Sequence, residues 1–174
     1  MRGSLLVSLA FFMLSAASFA SYPTLFSRSS AFFSEKEKYY VYPVPTPSDQ
    51  ASLRADAYGK GYFGASRGKT RTHQGIDLSV PLNSPIYACK SGRVLKSEQE
   101  RGYGKFIYLT HPDGTITRYA HLSELGVEAG EWVPQSREIG KSGKTGNAAH
   151  PKIRPHLHFE IKKGKISLDP TRLF

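Results

Sequence analysis

Between residues 155 and 161 the chain reads PHLHFEI. Apolar Leu157, Phe159 and Ile161 alternate with polar His156, His158 and Glu160. Successive side chains of a β-strand point to opposite faces, so this period predicts a strand with one face on a core and both imidazoles on the other. A turn around Gly164 and a short return strand should follow. Upstream, SPIYACKSG predicts a strand and a turn, and RVLKSEQE a strand ending near Arg101 and Gly102. GKFIYLT, 104–110, is another strand. HPDG, 111–114, carries the Asp-Gly hairpin signal, and TITRYAH, 115–121, pairs back. No stretch holds a 3.6-residue apolar period over three turns, so helix is expected only as short pieces near 123–130. Residues 51–174 read as one all-β domain, mainly antiparallel sheet.

The first fifty residues follow a different pattern. MRGSLLVSLAFFMLSAASFA has one basic residue, an apolar run from Leu5 to Leu14, and small residues at Ser18 and Ala20. This predicts a signal peptide over 1–20, cut after Ala20, with a run too short to favour a membrane span. Residues 21–50 predict a leader that ends extended, with Pro43, Pro45 and Pro47 alternating. Export to the periplasm is the expectation, with secretion as the alternative and no stable membrane insertion after cleavage.

Composition narrows the chemistry. Of 174 residues, 39% are hydrophobic and 22% charged, which suits a soluble globular domain. The formal net charge of +10 suits an anionic partner such as a cell wall or a membrane surface. The cations are scattered and no recognition-helix or RNA-binding signature occurs, so no nucleic-acid partner is expected. A single cysteine, Cys89, excludes an intramolecular disulfide and a thiolate-rich metal site. Its apolar surroundings read as a buried small hydrophobe.

Any metal must therefore use His, Asp or Glu. His73 and Asp77 stand four apart with Gly75 between them, and His121 closes the strand RYAH. His73, Asp77 and one of His156 and His158 would supply three ligands for zinc, which takes imidazole nitrogen and carboxylate oxygen. A catalytic site leaves the fourth position to water.

HQGIDLSVPLNSPIYACKSGRV, GYGKFIYLTHPDGTITRYAHLSEL and GKTGNAAHPKIRPHLHFEI together resemble the lysostaphin/LytM-type zinc endopeptidases, over about Phe63 to Ile161. The resemblance implies an antiparallel β domain with a groove, one zinc ion, and hydrolysis of peptide bonds in peptidoglycan cross-links or stems. It implies His73, Asp77 and His158 as metal ligands. It implies His121 and His156 as catalytic histidines flanking the water at the metal. A non-catalytic peptidoglycan-binding or hydrolase-activating member of the same fold is the alternative. Relative to the family pattern, the loop before PHLH is longer and has Arg154 at a usual glycine. Asn83 also replaces a usual turn glycine.

The remaining polar groups have plainer expectations. Tyr119 is expected to line the groove, since it shares a strand face with His121, and Asn147 to touch substrate from the rim loop. Glu160 is either an acceptor for an imidazole N–H or a solvent-facing strand residue. His111 and His150 are expected at the surface. The chain is expected to act as a monomer on peptidoglycan peptides, with any protein regulator unknown.

Overall fold

The computed structural model describes residues 36–45 and 52–174. The expected signal peptide and most of the expected leader lie outside the described residues. Eleven strands form among the described residues. A two-stranded hairpin pairs β1 (Ala55–Asp56) with β2 (Gly59–Lys60). A nine-stranded antiparallel sheet contains β3 (Ile76–Ser79), β4 (Pro85–Tyr87), β5 (Gly92–Glu100), β6 (Gly104–Thr110), β7 (Thr115–Leu125), β8 (Trp132–Val133), β9 (Glu138–Ser142), β10 (His156–Lys163) and β11 (Ile166–Leu168). The order is β11-β10-β7-β6-β5-β8. β3 also pairs with β10, and β9 joins β7 to β4.

The all-β reading holds, and the expected strands and hairpin turns form. The helical expectation near 123–130 does not. Residues 123–125 continue β7, because after Leu122 the strand leaves β6 and takes β9 as its partner. Within residues 52–174 helix occurs instead as two 3₁₀ turns, Gly146–Ala149 and Pro170–Arg172.

Strand β10 organises the molecule. Its first half pairs with β3, setting Leu157 opposite Leu78 and His158 opposite Asp77. From His158 onward it pairs with β7, setting Phe159 opposite Tyr119. Leu157, Phe159 and Ile161 are fully buried in the core with Ile76, Leu78 and Tyr119. The opposite face is covered too, since His156, His158 and Glu160 are all buried. Gly75 permits this approach: a Cβ there would collide with the Phe159 carbonyl and the Glu160 side chain. Its role is room rather than a bend.

Residues 36–45 dock on the same core, ahead of the boundary expected at 51. Tyr40 and Val44 are buried, and Tyr42 stacks on Phe174 at 4.3 Å between centroids. The backbone N–H of Val41 donates to the Cys89 carbonyl at 3.0 Å, and that of Tyr87 to Pro43 at 2.9 Å. Glu37 accepts from the backbone N–H of Ser91 at 2.8 Å. The Tyr40 hydroxyl bonds Thr115 Oγ1 at 2.7 Å. The run YYVYPVP, 39–45, is short and broken by prolines, so it gives no clear periodic signal, and this docking is a tertiary event.

His111 departs from its expected surface position. It is 4% exposed, with Nδ1 2.9 Å from the Ser91 carbonyl and Nε2 2.8 Å from Thr117 Oγ1. Cys89 is buried as expected, and burial pushes its thiol up to about 12.

Tyr40→Ala should cost about 3–5 kcal/mol, the range for truncating a buried aromatic. Urea unfolding should show a lower midpoint with an unchanged m-value, and an unchanged midpoint would mean that 36–45 does not dock in solution. Cys89 should resist iodoacetamide in native protein at neutral pH and react in denaturant. Mass spectrometry showing rapid native alkylation would contradict its burial.

Candidate metal centre and groove

Four histidines and two carboxylates meet where β10 lies between β3 and β7. His73 enters from the segment before β3, Asp77 from β3, His121 from β7, and His156, His158 and Glu160 from β10. The register opposing His158 and Asp77 brings His158 Nδ1 to 2.8 Å from Asp77 Oδ1. His73 Nε2 lies 3.0 Å from His158 Nδ1 and 3.1 Å from Asp77 Oδ1. Three donor atoms on buried side chains thus converge.

The partners of the outer ring nitrogens decide what the centre can hold. His73 Nδ1 faces the Tyr62 carbonyl at 3.0 Å, and His158 Nε2 faces Glu160 Oε1 at 2.9 Å. Carbonyl and carboxylate oxygens only accept, so these nitrogens carry the protons. Each neutral ring then turns its lone pair to the centre, beside the Asp77 oxygen. Three acceptors at this spacing call for a cation. Tetrahedral zinc with bonds of roughly 2.0–2.2 Å would place its ligands about 3.3–3.6 Å apart, close to the observed separations.

Charge in the surroundings agrees with this need. Burial would raise the Asp77 carboxyl, yet hydrogen bonds and charge from His158 and His73 hold it well below the usual carboxylate range. Its outer oxygen, Oδ2, accepts from Arg54 Nη2 at 3.1 Å and Arg67 Nη2 at 3.0 Å. Burial would lower His158, but Asp77 and Glu160 on either side raise it. The centre therefore draws positive charge, whether a proton or a divalent ion. Burial would also raise Glu160, yet His158, Arg118 and Lys162 hold it ionised, at about 2. Glu160 is thus the buried acceptor and not a solvent-facing residue.

His121 and His156 make a second pair. Each gives its Nδ1 proton to a backbone carbonyl, His121 to Thr145 at 3.0 Å and His156 to Arg154 at 2.8 Å. Their Nε2 atoms are left as acceptors. His156 Nε2 lies 4.0 Å from Asp77 Oδ1, and the two rings meet edge to face with centroids 5.0 Å apart. Burial, then the positive charges available to His158 and His156, lower His121 to about 3, so it is neutral near pH 7. Burial also lowers His156. Both can take up a proton from a neighbouring group.

These groups floor a cleft of about 650 Å³. One wall comes from the loop around Arg67–Thr72, and the other from Gly102 and the rim segment of Asn147, Ala148 and Ile153. Asn147 is exposed on this rim, where the sequence placed it. Tyr119 is not in the groove. It is fully buried, and its hydroxyl bonds the Cys89 backbone N–H at 3.0 Å. The assumption of strict alternation failed at a β-bulge. Lys105 pairs with Leu122 but Phe106 pairs with Ala120, so His121 is the extra residue, in left-handed backbone at φ 65°. Tyr103 lines the cleft instead, and its hydroxyl donates to Glu160 Oε1 at 3.0 Å.

Sequence reasoning missed Arg54. It is buried, pairs with Asp56 at 2.9 Å, and holds Asp77 through its other terminal nitrogen. No motif marks it, because Asp77 lies 23 residues further along the chain.

Known proteins share this sequence and fold in part. The curated "Peptidoglycan DD-endopeptidase ShyC" of Vibrio cholerae serotype O1 is 36% identical over 103 residues, covering 59% of this chain and 23% of that protein. The chain spans less than two fifths of the length of the first three curated relatives it matches. A zinc-containing peptidase from Vibrio cholerae superposes with a TM-score of 0.64 at 26% identity, covering 76% of this chain and 39% of that one. The catalytic domain of the antimicrobial peptidase lysostaphin from Staphylococcus simulans gives a TM-score of 0.57 at 30% identity, covering 64% and 86%. The family model described as "Peptidase family M23" matches residues 71–170, from two residues before His73 to just past β11, and the chain belongs to that family.

Proposed function

We propose that this protein is a zinc-dependent endopeptidase that hydrolyses peptide bonds in peptidoglycan cross-links or stems. The observation carrying this reading is the convergence of His73, Asp77 and His158 beside two further imidazoles with outward-tied protons. Export to the periplasm, suggested by the pattern of residues 1–20, belongs to the same proposal.

His73 Nε2, Asp77 Oδ1 and His158 Nδ1 would hold the zinc. When bound, the ion polarises a scissile carbonyl and makes water a nucleophile near neutral pH. The other steps fall to the chain's own groups. His121 and His156 are neutral and present Nε2 over the floor of the cleft. Nε2 of one accepts a proton from the attacking water, and the imidazolium so formed then donates that proton to the departing amine, while Nε2 of the other accepts a hydrogen bond from the water and orients it. Carbonyls of Thr145 and Arg154 fix their tautomers, so neither ring must reorient before a proton moves. Such transfers typically contribute about 10²–10⁴-fold each. Cys89 is excluded as a nucleophile by burial and its raised thiol.

His158→Ala and Asp77→Ala should abolish zinc retention through gel filtration. His121→Ala should retain zinc and lose about 10²–10⁴-fold in the rate of muropeptide release from purified sacculi. Full release by the His121 variant would overturn its assignment. Wild-type protein that takes up no zinc would favour a non-catalytic peptidoglycan binder.

Glu160→Gln should weaken zinc binding about 10–100-fold in chelator competition, because the carboxylate orienting His158 is lost. Affinity equal to wild type would show that the Glu160 contact does not support the ligand.

A further inference from the structure

The loops that border the cleft carry charge that its chemistry does not use. The loop 66–72 contains Arg67, Lys69 and Arg71 and no acidic residue. It is closed by a bridge between Ser66 and Thr72, and by the Arg67 N–H donating to the Arg71 carbonyl at 2.8 Å. The facing segment, 144–154, contains Lys144, Lys152 and Arg154, and again no acidic residue. Its chain is shaped by the Gly146–Ala149 turn and by the Lys144 ammonium donating to the Pro151 carbonyl at 3.1 Å.

The acids of the cleft do not offset these charges. Asp56 and Asp77 are matched by Arg54 and Arg67, and Glu160 by Arg118. The side chains of Lys69, Arg71, Lys144, Lys152 and Arg154 therefore have no carboxylate partner among the described residues. The hairpin tip beside Gly102 carries Glu100 and Arg101, which balance each other. A cleft with Arg71 on one wall and further cations on the segment that carries the other raises the local concentration of anions and disfavours cationic ligands. Arg71 is exposed and lines the cleft, and exposed Lys152 is adjacent to the lining residue Ile153.

We infer that the two rim loops select peptides bearing free carboxylates next to the scissile amide, with Arg71 on one wall and Lys152 at the rim beside the other as specificity-determining residues. This deepens the hydrolase reading and rests on it for the cleavage assay, though not for binding. A guanidinium can grip a carboxylate through two parallel N–H donors, whereas an amide in its place presents its own N–H groups to the cation. The selection is carried by exposed groups, so it acts mainly on KM and weakens with salt.

The test uses the full chain and two synthetic cross-linked stem dimers, one with free carboxylates and one fully amidated. The free form should show a KM lower by roughly 3- to 10-fold, as expected of two exposed charge pairs, with similar kcat. In the Arg71→Gln/Lys152→Gln double variant the two KM values should converge. Equal KM values for wild type, or a ratio preserved in the double variant, would overturn the inference. If wild type cleaves neither substrate, the hydrolase reading fails, and co-sedimentation with sacculi decides the inference alone. Retention should fall when sacculus carboxylates are amidated and when salt is raised from 50 to 300 mM, and fall less for the double variant. Retention that survives amidation, but is lost when phosphate-bearing polymers are stripped, would assign the loops to phosphate instead.

Discussion

The pairing register between β3 and β10 is the constraint on which the site depends. It sets His158 opposite Asp77, and at the same residue the other edge of β10 begins to pair with β7, which carries His121. A slip of one residue would exchange the faces of β10, burying His156 and His158 in the core and turning Leu157 and Phe159 into the cleft. The register is held by the fully buried Leu157, Phe159 and Ile161 on one side and by hydrogen-bonded polar groups on the other. Core packing and the metal-site geometry are therefore consequences of one alignment. Neither can be altered by moving β10 without losing the other.

The electrostatics follow from burying so many polar groups together. Imidazoles and carboxylates inside a protein are tolerated when each has a partner. Here every outer ring nitrogen finds an oxygen, and both oxygens of Asp77 are engaged. What the partners leave over is a cluster of lone pairs around one point. A divalent ion would neutralise that cluster, which would make metal binding and local stability parts of the same free energy.

The strand pattern was legible because alternation is local. HLHFEI announces its two faces, the Asp-Gly of HPDG announces its turn, and Asn83 occupies the left-handed turn position that its replacement of glycine suggested, at φ 61°. The meeting of His73, Asp77 and His158 was legible through resemblance, not through spacing, since spacing left His156 and His158 equivalent. Errors arose where local rules are interrupted. The bulge at His121 reset the faces of β7 and misplaced Tyr119. His111 looked like a hairpin surface residue because nothing local reveals that Ser91 and Thr117 cover it. Tyr40 and Val44 looked like leader because their partners, Thr115 and the Cys89 segment, lie far along the chain.

Arg54 shows how far the site extends beyond its motif residues. One terminal nitrogen holds Asp77 and the other holds Asp56, while its buried Nε has no partner among the described residues. Asp56 in turn accepts the Arg154 backbone N–H at 3.2 Å, and the carbonyl of that same residue takes the His156 Nδ1 proton. The β1–β2 hairpin is thus tied both to a proposed metal ligand and to the backbone that sets the tautomer of His156. The fully buried pair with Asp77 carries a desolvation cost, so stability alone is a weak reason for its presence. Its geometric consequence is specific: displacing the hairpin would move a ligand oxygen and a proton acceptor together. The short hairpin, which has no apolar core of its own, is best understood as a brace that keeps the floor of the cleft and its longer rim loop in one fixed relation.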